Sequence, residues 1–237
     1  MELIINNLYK KYNKEILQNI SINVSGVESI GIIGKSGCGK STLLRMLTGL
    51  ENPDGGEISM NGLLIIKANI EAYQKKIGMI FQQHNLFPHI SILENITLIL
   101  EKTRAYKPQD AMTVATGLLE RFHLHDEMQK RPHEISGGQA QRAAIARALS
   151  TKPKLIFMDE PTAALDPILT KEVLDSVNDL KATGIEFIFV THELSFVREF
   201  ADYILFMDEG KIIEHGPVKI LNNPQSQELI NFLNHER

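Results

Sequence analysis

Apolar residues fall along this chain in two rhythms. Glu28-Ser29-Ile30-Gly31-Ile32-Ile33, Ile77-Gly78-Met79-Ile80-Phe81, Lys154-Leu155-Ile156-Phe157-Met158 and Glu186-Phe187-Ile188-Phe189-Val190 are short, nearly continuous apolar runs. Such runs predict strands covered on both faces, as in a parallel sheet. Elsewhere the spacing is helical: Leu43, Leu44, Met46, Leu47 and Leu50 after Ser41, then Ile92 to Leu100, Ala111 to Leu124, Gln139 to Leu149 and Leu169 to Leu180. Asn52-Pro53-Asp54-Gly55-Gly56 stops the first helix, and Lys107-Pro108 separates the next two. Asn61-Gly62, between Glu57-Ile58-Ser59-Met60 and Leu63-Leu64-Ile65-Ile66, predicts a tight hairpin. A second hairpin is predicted where Asp208-Glu209-Gly210 joins Ile204–Met207 to Lys211-Ile212-Ile213. The C-terminal stretch has a weaker amphipathic period and predicts a peripheral helix.

The order of these elements predicts an α/β domain carrying an insertion. Strands dominate 1–83 and 151–237, and helices dominate 84–150, the expected inserted lobe. The helix from Leu169 to Leu180 lies between two buried strands, a β-α-β unit. A length of 237 residues suits one large domain with such a lobe. Hydrophobic residues at 43% and charged residues at 23% exclude disordered, collagen-like and coiled-coil chains. Twenty-five basic against 29 acidic residues give −4, so charge makes no case for a nucleic-acid partner. One cysteine, Cys38, forms no intramolecular disulfide and fits a reducing compartment. No run approaches the roughly 18 apolar residues of a membrane helix, and the first residues lack the basic start and apolar stretch of a signal peptide.

Chemistry enters at the strand ends. Gly34-Lys35-Ser36-Gly37-Cys38-Gly39-Lys40-Ser41 fits G-x-x-x-x-G-K-[ST] between a strand and a helix. Glycines let successive N–H groups turn inward around a phosphate, and the helix N-terminus adds positive potential. Lys40 would neutralise the outer phosphates and Ser41 would ligate Mg²⁺. Asp159 and Glu160 end another apolar strand, where open α/β sheets bind ligands. Asp159 is expected to hold the Mg²⁺ and Glu160 to orient and polarise an attacking water. His192 ends a third buried strand, at the edge where a γ-phosphate would sit. Ile135-Ser136-Gly137-Gly138-Gln139 opens a helix inside the inserted lobe and makes a second anion-binding turn. The other histidines show no paired metal-ligand spacing.

With these motifs in place the chain resembles the ATP-binding cassette ATPases from end to end. Gly34 to Thr42 matches their Walker A loop, Leu155 to Glu160 the Walker B strand, and Ile135 to Gln139 the signature motif. Gln82 matches the Q-loop, Ala164-Leu165-Asp166 the D-loop, His192 the switch histidine, and Tyr12 the aromatic that stacks on adenine. Phe81-Gln82-Gln83-His84-Asn85-Leu86-Phe87-Pro88-His89, Thr191-His192-Glu193 and Phe206-Met207-Asp208-Glu209-Gly210-Lys211 resemble the ATPase subunits of bacterial polar amino acid importers.

The resemblance implies a P-loop NTPase (RecA-like) core with an antiparallel β subdomain and an α-helical subdomain. It implies ATP and Mg²⁺, with Glu160, His192, Gln82 and Lys40 catalytic and Ser41, Gln82 and Asp159 around the metal. Tyr12, Gly34, Ser36, Gly37, Cys38, Gly39, Lys40, Ser41, Thr42 and Gln82 are the implied nucleotide contacts, with Ser136, Gly138, Gln139 and Asp166 completing them. It implies a homodimer or paired cassette with ATP at the interface, integral-membrane permease subunits, and a periplasmic or extracellular solute-binding protein. The expected location is peripheral, on the cytoplasmic face of the inner membrane. A regulatory or cell-division cassette that signals through a membrane partner is the other reading. A DNA-repair cassette is disfavoured, because no heptad run separates Lys40 from Asp159. Two positions depart from the family pattern: Ile135 replaces the usual signature leucine, and Lys35 adds a cation to the phosphate loop.

Overall fold

The first two strands are absent from the apolar pattern, and the reason is local. In the computed structural model, which describes residues 1–161, 175 and 177–235, β1 (Glu2–Lys11) and β2 (Glu15–Ser25) pair antiparallel. Their register shifts between Ile5 and Leu8 and again near Lys10. Asn7 and Asn19 adopt left-handed φ of 48° and 51° beside these irregularities. Each inserted residue moves the following side chains to the other face, so strict alternation is lost although Leu3, Ile5, Leu8, Leu17, Ile20 and Ile22 are all buried.

The described residues form two compact units. The first comprises Met1–Gln74, Phe157–Glu160 and Glu186–Arg237, and the second Lys75–Ile156 and Pro161–Ile185. In the first unit, β4 (Gly55–Met60) pairs with the free edge of β1 and turns back into β5 (Leu63–Leu64), giving the order β2-β1-β4-β5. The turn is the predicted Asn61-Gly62, with φ of 49° and 75°.

The other sheet of this unit is built around β3 (Ser29–Gly34), all six residues of which are buried. It joins β7 (Leu155–Asp159), β8 (Glu186–Val190), β9 (Tyr203–Asp208) and β10 (Lys211–Pro217) in the order β10-β9-β3-β8-β7. β3 runs parallel to both β8 and β9, which the continuous apolar runs required. Phe187 and Phe189 of β8 pack edge-on against Phe200 and Phe196, with ring centroids 5.1 and 4.8 Å apart. The partner rings lie on α6 (Leu194–Phe200), two turns that are too short to show a period. α1 (Lys40–Leu47) buries Leu43, Leu44, Met46 and Leu47, and Tyr73 of α2 (Ile70–Gln74) donates its hydroxyl to the Leu47 carbonyl. The predicted tail helix is α7 (Gln227–His235), anchored by Leu229, Phe232 and Leu233.

The second unit contains the predicted helices. α3 (Ile92–Arg104) starts at a Ser91–Glu94 capping box. α4 (Pro108–Arg121) starts at the proline expected to break the chain, since proline fits a first helical turn. α5 (Gly137–Ser150) buries Ala143, Ala144 and Ala146. β6 (Ile77–Ile80) lies by the start of β7, where a Cβ on Gly78 would stand 3.4 Å from Ile156. Residues 177–181 are helical, as is 175; the rest of the helix expected from Leu169 lies outside the described residues.

Candidate nucleotide site

β3 ends at Gly34 and α1 begins at Lys40, so the predicted phosphate loop sits between a buried strand and a helix N-terminus. A Cβ on Gly34 would stand 2.0 Å from the Met207 carbonyl oxygen, and Gly39 holds φ at 107°, which L side chains rarely adopt. Only glycine satisfies both positions. No side chain caps α1 and no acid lies in its first turn, so its N-terminal dipole is left to an anion. The Lys40 ammonium folds back over the loop and donates to the carbonyls of Gly34 at 2.7 Å and Lys35 at 2.9 Å. Ser36 and Gly37 form the exposed lip, while Cys38 is buried beneath it and Thr42 is half-buried on α1.

Ser41 donates its hydroxyl to Asp159 Oδ1 at 2.9 Å. These are hard oxygen ligands of the kind Mg²⁺ takes, and Mg²⁺ is usually held by one or two protein groups plus phosphate oxygens and water. No cluster of three His, Cys, Asp or Glu side chains among the described residues could hold a metal alone. The donor set therefore fits Mg²⁺ delivered with a phosphate. Glu160 leaves the strand through a left-handed turn, φ 50°, and its N–H donates to the Val190 carbonyl at 2.9 Å. Such backbone is costly for a non-glycine residue and clusters at functional sites. It directs the Glu160 carboxylate to His192, whose Nδ1 lies 2.6 Å from Oε2. That bond leaves the second ring nitrogen of His192 for another partner.

Tyr12 lies just beyond β1 and is half-exposed. Its hydroxyl donates to the Glu51 carboxylate, and the Lys10 ammonium stands 5.3 Å from its ring centre. A cleft of about 360 Å³ runs along the phosphate loop, lined by Lys14, Ile16, Gln18, Lys35, Cys38 and Asp208 among others. Lys35 does not add a free cation there, because its ammonium pairs with Asp208 at 3.3 Å. Burial raises the pKa of the Cys38 thiol above its ordinary value.

The second unit holds the other predicted turn. Ser136 caps α5: its Oγ accepts from the Gln139 N–H at 3.2 Å, and Gln139 Oε1 accepts from the Ser136 N–H at 2.9 Å. Gln139 Nε2 donates to Glu127, so this side chain supports the turn from within. The Ser136 hydroxyl accepts in the cap and keeps its own hydrogen to donate. Gly137 and Gly138 head the helix with their N–H groups. Gln82 is exposed just past β6. Arg147 of α5 donates to the carbonyls of Asn85 at 2.7 Å and His84 at 3.2 Å, while Asn95 brackets the backbone of Phe87. Asp166 lies outside the described residues.

The first unit thus brings together Lys40, Ser41, Asp159, Glu160 and His192; Gln82 and Ser136–Gln139 belong to the second. Sequence reasoning missed Glu51, Lys10 and Arg147, whose partners are remote in the chain and carry no motif.

The family model described as ABC transporter matches residues 17–163. The arginine transport ATP-binding protein ArtM of Bacillus subtilis is 42% identical over 97% of both chains. The chain belongs to the ABC transporter family. The glutamine transport ATP-binding protein GlnQ of Escherichia coli is also 42% identical to this ABC cassette, over 93% of each chain. Among solved structures, a dimeric post-hydrolysis state of the ATP-binding cassette MJ0796 bound to ADP and Pi is similar to it. The TM-score is 0.83 at 30% identity, covering 91% of this chain and 98% of that one. The RecA-like core expected from the motifs is therefore the fold, and the cassette is an ATP-binding ATPase. No helix among the described residues is long and apolar enough to cross a membrane.

Proposed function

We propose that this chain is the ATP-hydrolysing subunit of an importer for polar amino acids. The reading is carried by one observation: an uncapped, glycine-bound helix N-terminus shares a unit with the Ser41–Asp159 and Glu160–His192 pairs. The phosphate loop and Lys40 hold the β- and γ-phosphates. Ser41 and Asp159, with Gln82, would hold Mg²⁺, which neutralises charge on the phosphate oxygens when bound. Glu160 takes a proton from water as the water oxygen bonds to the γ-phosphorus. The bond to the bridging oxygen breaks, and ADP leaves. His192 keeps the Glu160 carboxylate aimed and offers its second nitrogen to the γ-phosphate.

Residues 84–150 form the signature lobe in this reading. Two cassettes, identical or related, pair so that the Ser136–Gly138 turn of one meets the ATP held by the other, with Gln139 supporting the turn. Pairing and release then drive permease subunits fed by a solute-binding protein, which keeps the chain at the cytoplasmic face of the membrane. The relatives named for arginine and glutamine transport support the substrate class. The test is ATPase activity with the cognate permease in proteoliposomes. Stimulation by a binding protein loaded with a polar amino acid is expected. Hydrolysis unmoved by every polar amino acid would overturn the import reading in favour of a signalling cassette.

A further inference from the structure

Tyr12 is half-exposed, yet its hydroxyl is tied to Glu51, and Glu51 is itself held. The Glu51 carboxylate pairs with Lys10 at 3.2 Å, and its N–H donates to the Arg45 carbonyl, in the last turn of α1, at 3.2 Å. Lys10 is buried and also donates to the Asn52 carbonyl at 2.8 Å and reaches Asp54 at 3.4 Å. Asp54 accepts the Lys11 N–H at 2.8 Å and gives its own N–H to the Tyr9 carbonyl at 3.1 Å. Residues 51–54 therefore grip the end of β1 on both sides of Lys10. The hydrogen bond to Glu51 also raises the pKa of the Tyr12 phenol, so the hydroxyl stays a donor. Lys10 stands over the ring at 5.3 Å, and Tyr12 is still 53% exposed, so ring surface remains for a flat partner.

We infer that Glu51 is a positioning residue for nucleotide-base recognition: it fixes the Tyr12 ring in the orientation that accepts the base. The inference rests on the reading of Tyr12 as the base-stacking residue. Its physical content is preorganisation. An aromatic side chain already frozen before binding loses no rotamer freedom when the base arrives. α1 makes the arrangement economical, because it begins at Lys40, which faces the phosphates, and ends in the loop that holds Tyr12.

The experiment compares ATP with inorganic tripolyphosphate, which has phosphates and no base, on the full chain. Glu51→Ala is expected to weaken ATP binding about 5- to 10-fold, the cost of ordering one side chain at the moment of binding. Tripolyphosphate affinity should not change, and KM for ATP should rise while kcat at saturation holds. Tyr12→Phe keeps the ring and should reproduce the loss, with no further loss when combined with Glu51→Ala. Glu51→Gln keeps an acceptor and should restore part of the affinity. Wild-type ATP affinity in Glu51→Ala, or equal loss of ATP and tripolyphosphate, would overturn the positioning role. Full ATP affinity in Tyr12→Ala would instead overturn the stacking role of Tyr12 itself.

Discussion

Two helix N-termini in this protein are rich in glycine, and they are built on opposite plans. The one at α1 is left open: no side chain caps it, its glycines are forced by left-handed backbone, and a lysine with a carboxylate–hydroxyl pair stands beside it. The one at α5 is closed by its own serine and glutamine in a capping box, and its polar atoms are largely spent on the turn itself. The first supplies charge, a hydroxyl–carboxylate pair and dipole at once. The second supplies a dipole, N–H groups and one hydroxyl hydrogen. A site of the first kind binds a phosphate alone; one of the second kind serves a phosphate already held elsewhere. That difference is the physical argument for a cassette that works in pairs.

The sharpest division between binding and chemistry comes from Glu160→Gln. It keeps size and one hydrogen-bond acceptor toward His192 but cannot take a proton. Turnover should fall roughly 10²- to 10⁴-fold with ATP affinity retained. An ATP-stabilised dimer on size exclusion is the expected companion, and steady-state hydrolysis near wild type would remove the base from Glu160. Lys40→Ala tests the open terminus. Losing the ammonium that lies over the loop should weaken ATP binding roughly 10²-fold in the isolated chain by titration calorimetry.

The closed terminus answers to a subtler change. Aspartate caps a helix as well as serine does, so Ser136→Asp should leave the melting temperature of the protein in place. Its carboxylate would repel a second anion, and hydrolysis by paired cassettes should drop at least about tenfold. ATP binding by the isolated chain should be untouched. Ser136→Ala should do the reverse in stability, costing about 1 kcal/mol through the lost cap. If Ser136→Asp weakened ATP binding in the single chain, the two termini would not be distinct in kind.

The sequence foretold the elements whose period is clean. The buried runs of β3, β7 and β8, the Asn61-Gly62 hairpin and the helical periods of α3 and α5 all follow from local rules. β1 and β2 escaped because Asn7 and Asn19 break the alternation at bulges, and α6 because two turns cannot display a 3.6 period. The site was legible to the same degree. Lys40, Ser41 and Asp159 announce themselves by motif, and the Ser41–Asp159 bond joins the first turn of α1 to the end of β7. The Glu160–His192 contact needed the left-handed turn at Glu160, which no propensity announces. Glu51 lay hidden for a plainer reason: it looks like a solvated acid after a helix until its partners on β1 are seen.

The smallest effect concerns the floor of the open terminus. Cys38 lies inside the phosphate loop, where a thiol reagent would be expected to compete with ATP. Its side chain is buried under the loop, its N–H donates to the Lys35 carbonyl at 3.3 Å, and its carbonyl accepts from Gly210 at 3.0 Å. Burial favours the neutral thiol, so the pKa rises and the reactive thiolate is scarcer than in an exposed cysteine at the same pH. Alkylation by iodoacetamide should therefore lag behind the unfolded chain at pH 8. It should then accelerate about tenfold per unit as pH climbs toward the raised pKa, provided the loop stays folded. Mass spectrometry of the labelled chain measures both. A labelling rate at pH 8 equal to that of the unfolded chain would mean that the loop opens readily, and the open terminus would then be ordered by its ligand rather than by its glycines.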